Sequence, residues 1–199
     1  MPGGHINPNA MSTIAVVHKN GQICMASESQ TTFGSTKMSG EFIVNHAKIQ
    51  QWGDSLIGMV GSVSLSMIFA DIIADAKEEP DFSNEVSIFK YFTKLHKKLK
   101  NKYFLKPDEE EDDPVESSQY ELVIANKHGI FGVHSLREVY HLSKYWAYGS
   151  GRYYALGAMH ALYDLEGYSA ERIAVEAVKA GVTFDDGSGG EVVVHMIPS

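Results

Sequence analysis

The chain is poor in cysteine, in positive charge and in long apolar runs. Cys24 is its single thiol, so no disulfide framework can form, which fits a reducing cytoplasm. Lys and Arg number 17 against 25 Asp and Glu, a formal charge of -8, which argues against a nucleic-acid partner. No apolar stretch approaches the roughly 18 residues that suggest a bilayer span, so no membrane is expected as a partner. The opening "MPGGHINPNA" lacks the basic start and apolar centre of a signal peptide. Nine histidines are scattered without a His-Glu-x-x-His pair or another familiar metal spacing, so neither metal nor cofactor is expected.

Hydrophobic residues make up 44% of 199 positions, enough for one compact domain with a substantial core. Residues 1–11 read as a tail, a tag or a short propeptide, and 12–199 as that single domain. Thr13 to Val17 is apolar and β-branched, and Asn20-Gly21 is a strong hairpin signal before a returning strand at Ile23 to Ala26. Cys24 on that strand reads as core. "ESQTTFGSTKMSG" reads as a polar loop, and Ser55 to Met59 as another short strand.

Past Gly61 the period becomes helical. Leu65, Ile68, Phe69, Ile72 and Ala76 mark one helix; Ile88, Phe92, Leu95, Leu99 and Tyr103 mark a second, whose other face carries six lysines. Six acids, Asp108 to Asp113, lie between Pro107 and Pro114 and read as a solvated loop, since like charges this close repel. Glu121 to Asn126 and Gly129 to Val133 suggest two more strands, and Val139 to Trp146 a third. A Gly-rich turn leads into a third helix with Tyr154, Ala158, Ala161 and Leu162 as its apolar face. Ser169 is an N-cap candidate for a fourth helix, Gly181 its C-terminal cap, and Glu191 to Ile197 a last strand. Paired helices interrupting blocks of hairpins predict an α+β fold, a four-layer α-β-β-α sandwich.

The stretches "STIAVVHKNGQICMASESQTTFG", "GSVSLSMIFADII", "YGSGRYYALGAMHALY" and "FDDGSGG", in this order and spacing, resemble the proteasome β-subunit and HslV branch of the N-terminal nucleophile hydrolases. "PDEEEDDPVESSQ" and "HGIFGVHSLREVY" are similar in particular to the betaproteobacterial proteasome homologues. The resemblance implies that the first residue of the mature chain attacks the peptide bond and that its own α-amine serves as the base. A hydroxyl needs such a base within hydrogen-bond reach, and an α-amine with a pKa near about 8 can act as one.

By this resemblance Ser12 stands at the nucleophile position, where the family carries threonine. Serine lacks the methyl that restricts χ1, so its hydroxyl is less firmly fixed. Glu28 stands where the family has aspartate, and Lys48 where a lysine lies beside the nucleophile; Lys37 is the competing lysine. Gly61 corresponds to the glycine whose N–H faces the scissile carbonyl. Ser150, Asp185 and Ser188 correspond to the residues that hydrogen-bond the terminal amine, with Asp185 preferred over Asp186 by its three-residue step to Ser188.

The resemblance also implies a homo-oligomer, a tetradecamer of two seven-membered rings that encloses the sites and admits peptides or unfolded polypeptides. An ATP-driven unfoldase partner is left open. If the acidic run lines the pore or chamber, many copies would favour positive segments. Two further readings compete with the peptidase: a catalytically silent ring acting as a scaffold, and an amidase on a small molecule.

Overall fold

The computed structural model describes residues 11–33, 35–45, 47–107 and 113–197. The chain starts with β1 (Ile14–Lys19) and β2 (Gln22–Glu28). Asn20 and Gly21 between them have φ of 53° and 74°, the two left-handed residues that a tight hairpin with the right twist requires. A small hairpin follows, β3 (Thr31–Phe33) with β4 (Thr36–Met38). Then come β5 (Ile49–Trp52) and β6 (Ser55–Val60), the helices α1 (Val63–Ala74) and α2 (Glu85–Tyr103), and β7 (Glu121–Asn126), β8 (Gly129–Val133) and β9 (Val139–Leu142). The chain ends with β10 (Tyr145–Tyr148), α3 (Arg152–Leu162), α4 (Ala170–Phe184) and β11 (Val192–Met196).

Two antiparallel sheets result, one in the order β10-β1-β2-β11 and one in the order β5-β6-β7-β8-β9. Because side chains alternate across a strand, each buried strand feeds two layers. Ile14, Val16 and Met25 meet Val123, Ala125 and Ile130 between the sheets. Ala15, Val17, Cys24 and Ala26 face the other way, onto Ala155, Ile173, Ala174 and Ala177 of α3 and α4. On the second sheet Leu122, Ile124, Phe131 and Val133 pack against Phe69, Ile88, Phe92 and Leu99 of α1 and α2. Three separate apolar layers therefore hold four layers of structure, the α-β-β-α sandwich that the element order predicts.

The helix starts follow their capping residues. Asn84 Oδ1 accepts from the Ser87 N–H at 3.0 Å and Ser169 Oγ from the Arg172 N–H at 3.1 Å. Five sequence expectations fail. Val139 to Trp146 is not one strand: it breaks at Ser143-Lys144, so that β9 joins β8 in one sheet and β10 joins β1 in the other. The polar loop after Glu28 contains the β3–β4 hairpin, whose exposed or half-buried residues leave no apolar alternation to read. The buried side of α3 is Ala155 and Met159, while Tyr154 is exposed. Gly181 does not cap α4, which continues to Phe184; a Cβ there would overlap the Thr13 side chain. Ala76 also lies past the end of α1. Of the six consecutive acids, residues 108–112 lie outside the described residues.

Phe92 stacks between Phe69 and Phe82, with ring centroids 6.5 and 6.0 Å away. It is fully buried. Phe92→Ala is expected to cost about 3–5 kcal/mol, read as a lowered unfolding midpoint in denaturant.

Candidate active site

Strand order gathers the candidate residues. In the sheet β10-β1-β2-β11 neighbours run antiparallel, so the end of β10, the start of β1, the end of β2 and the start of β11 share one edge. Ser150 follows β10, Ser12 precedes β1, Glu28 ends β2, and Asp185 and Ser188 lie between α4 and β11. Lys48 comes from the other sheet, one residue before β5, and its carbonyl accepts from the Met59 N–H at 3.1 Å.

Glu28 is 1% exposed and its carboxylate takes four donors. The Lys48 ammonium and the Thr13 N–H (3.2 Å) donate to Oε1. The Gln30 N–H (2.8 Å) and the Gly189 N–H (3.4 Å) donate to Oε2. Lys48 Nζ also donates to Ser12 Oγ at 3.1 Å. Burial lowers the Lys48 pKa from its ordinary value, opposed by the charge and hydrogen bond of Glu28 and the charge of Asp185. A half-buried cation thus faces a buried serine hydroxyl.

A second chain of bonds runs from the Ser12 nitrogen. Its N–H donates to Ser150 Oγ at 3.2 Å. The Ser150 hydroxyl donates to Asp185 Oδ2 at 2.7 Å, and the Ser188 hydroxyl donates to the same oxygen at 2.6 Å. Asp185 therefore claims both protons and leaves each serine presenting a lone pair. That arrangement uses one N–H of Ser12 and leaves any lone pair on its nitrogen uncommitted. With Met11 still joined, the nitrogen is a peptide amide, and the Ser12 hydroxyl donates to the Met11 carbonyl at 2.5 Å.

Six of the seven residues singled out in the sequence are thus linked through hydrogen bonds: Ser12, Glu28, Lys48, Ser150, Asp185 and Ser188. Gly61 stands at the end of β6, two residues past Met59, with φ of 145°, a conformation that suits glycine, and Ser62 behind it caps α1. Lys37 lies on exposed β4 and Asp186 is exposed; neither enters the network. Sequence reasoning does not single out Thr13, Gln30, Gly149 or Gly189. Gln30 and Gly189 act through backbone N–H groups, which carry no sequence signal. Gly149 has φ of 91°, and a Cβ there would overlap the Ser12 carbonyl oxygen. Among the described residues, no group of three His, Cys, Asp or Glu side chains could hold a metal ion. Cys24 is buried, and desolvation pushes its thiol up to about 12, which leaves it protonated and inert.

This sandwich is the proteasome-type N-terminal nucleophile hydrolase fold. The chain belongs to the proteasome subunit family, whose model matches residues 8–197. It is similar to the BPH of Thiobacillus denitrificans solved in complex with epoxomicin, at 38% identity and a TM-score of 0.87, covering 94% of this chain and 100% of that one. It is also 30% identical over 171 residues to the ATP-dependent protease subunit HslV of Thermosipho africanus, covering 84% of this chain and 87% of the relative. HslV from Trypanosoma brucei shares the fold, at 21% identity and a TM-score of 0.63, covering 94% of this chain and 99% of that one.

Removing the Glu28 charge would leave the half-buried Lys48 ammonium unpaired. Glu28→Gln is expected to cost roughly 3 kcal/mol, measured as the shift in denaturant midpoint against the parent chain.

Proposed function

We propose that residues 12–199 form one hydrolase domain behind a tail of residues 1–11, and that it is a self-compartmentalising endopeptidase with Ser12 as nucleophile. The observation that carries this reading is the position of Lys48 Nζ, 3.1 Å from the Ser12 hydroxyl oxygen and anchored by Glu28. Peptidase chemistry is also supported by relatives named as protease subunits and by the epoxomicin complex of the Thiobacillus denitrificans protein.

In this reading the Ser12 oxygen attacks the scissile carbonyl carbon and its proton passes to the free Ser12 amine, directly or through a water. Lys48 favours the developing alkoxide. The Gly61 N–H, at the start of α1, donates to the oxyanion, helped by the partial positive charge of that helix end. Collapse of the intermediate expels the amine product, which takes the proton, and leaves an ester on Ser12. Water then attacks that ester, its proton goes to the Ser12 amine, and the acid product departs as the hydroxyl is restored. Ser150, Asp185 and Ser188 orient the amine throughout. Serine for threonine and glutamate for aspartate keep the hydroxyl and the carboxylate this sequence needs.

The family resemblance supports two stacked seven-membered rings in the cytoplasm, with the sites facing an enclosed chamber that takes unfolded polypeptide. While Met11 remains attached the nitrogen is an amide and is not basic. That state of the chain is a silent ring, and the second reading is that the ring stays in it as a scaffold.

Ser12→Ala should lower kcat/KM on a fluorogenic peptide by at least about a thousandfold, on chains whose mass begins at residue 12. An activity surviving within about tenfold contradicts the reading. The alkaline limb supplies a second measure. As pH rises through the lowered Lys48 pKa the ammonium loses its charge, so the rate should fall at a pH below 10.5, the ordinary lysine value. Lys48→Arg, which cannot deprotonate in this range, should be slower at its best pH and lose that limb.

A further inference from the structure

The side chain next to the proposed nucleophile has no part in the chemistry above, yet the fold has built a slot for it. Thr13 is 0% exposed. Strand alternation turns it away from Lys48, and its hydroxyl lies between Gly151, ahead of α3, and Gly181, inside α4. A Cβ on Gly151 would overlap Thr13 Oγ1. One on Gly181 would overlap the same oxygen and come within 2.7 Å of the Thr13 methyl. Glycine inside a helix costs stability relative to alanine, so its presence at 181 points to a close approach that the site needs.

Thr13 Oγ1 lies 2.7 Å from Ser188 Oγ. Ser188 already donates its proton to Asp185 Oδ2, so in the Thr13–Ser188 pair the proton must come from Thr13. Every bond of the chain then has a direction, set at its centre by the Asp185 carboxylate and completed by Thr13. Thr13 donates to Ser188, Ser188 and Ser150 donate to Asp185, and Ser150 is left to accept from the Ser12 nitrogen. The rest of Thr13 is pinned as well: its N–H donates to Glu28 Oε1 at 3.2 Å, and its carbonyl accepts from the Glu28 N–H at 3.3 Å.

We propose that Thr13 is a positioning residue of this site, and that by donating to Ser188 its hydroxyl holds the Ser188–Asp185–Ser150 chain in the place from which it aims the Ser12 amine. Resting on the peptidase reading, this assigns to the residue after the nucleophile a role separate from that of the nucleophile itself. Hydrogen bonds in such a chain strengthen one another, so losing the first donor weakens the bonds beyond it. Thr13→Val fills the slot with the same shape and removes only the donor. Thr13→Ser keeps the donor and removes only the methyl.

The test uses full rings whose chains begin at Ser12 by intact mass, with a fluorogenic peptide as the probe. Thr13→Val should lower kcat about tenfold with KM within about twofold, and Thr13→Ser should restore kcat to within about twofold of the parent. The double variant Thr13→Val/Ser188→Ala should be no slower than Ser188→Ala alone, since both break one chain. The proposal is overturned if Thr13→Val keeps kcat within about twofold, if Thr13→Ser is as slow as Thr13→Val, or if the two losses multiply. Should Thr13→Val fail to fold, Thr13→Ala replaces it in the same comparison. A parent ring that cleaves no peptide defeats the peptidase reading instead. Thr13 is then tested on the Ser12 amine itself, by the pH dependence of its reductive methylation. Thr13→Val should move that amine's pKa by about half a unit or more and Thr13→Ser should not; an unmoved amine overturns the proposal.

Discussion

One buried carboxylate ties the site together. Moving a carboxylate out of water is costly unless donors replace its hydration, and Glu28 finds four of them. Each donor belongs to a different piece of chain: the first residue of β1's approach, the exit from β2, the turn before β11, and the segment leading into β5. The group that compensates the charge is therefore also the group that brings those segments together. Its two oxygens divide the work, Oε1 meeting the Thr13 N–H and Oε2 the Gly189 N–H.

The same economy governs Asp185. It accepts from two serines through one oxygen, which fixes the direction of both hydroxyls without a further charge. Lys48 stands between the two carboxylates, held by one and in the field of the other, and its lowered pKa reflects the cost of keeping a cation away from water. In the proposed reading, that cation beside the Ser12 hydroxyl serves the negative charge that forms there in the reaction. Backbone supplies the rest. The Ser12 carbonyl accepts from the Gly151 N–H at 3.2 Å, and Gly149 beside it has no side chain to obstruct the approach.

The sheet layers were legible in the sequence because β1 and β2 are buried on both faces and the Asn20-Gly21 turn admits one register. The two long helices were legible because their apolar stripes are regular. What escaped has physical reasons. The break at Ser143-Lys144 moves the chain between sheets without interrupting its β-like composition. Of the predicted apolar face of α3, Tyr154 and Ala161 are exposed, Ala158 is half-buried and Leu162 packs against the core, and periodicity alone cannot say which stripe of a small-residue helix meets the core. Gly181 carries the signature of a helix end, yet tertiary packing against Thr13 explains it. The charged and hydroxyl members of the site were reached through the family resemblance, since read alone a lysine before a strand and two Gly-Ser-Gly turns are ordinary surface features. Gln30 and Gly189 were not, because they contribute only N–H groups, and Thr13 was hidden inside an ordinary strand.

The central claim is that one serine supplies both a nucleophilic hydroxyl and an unacylated nitrogen, and epoxomicin reads both at once because its epoxyketone closes a ring on the two groups. The direct measurement compares two preparations of this sequence by intact mass after incubation with epoxomicin, one beginning at Ser12 and one with Met11 retained. The account predicts that the chain beginning at Ser12 gains the inhibitor's mass and the longer chain gains none. Equal labelling of both, or of neither, would contradict it.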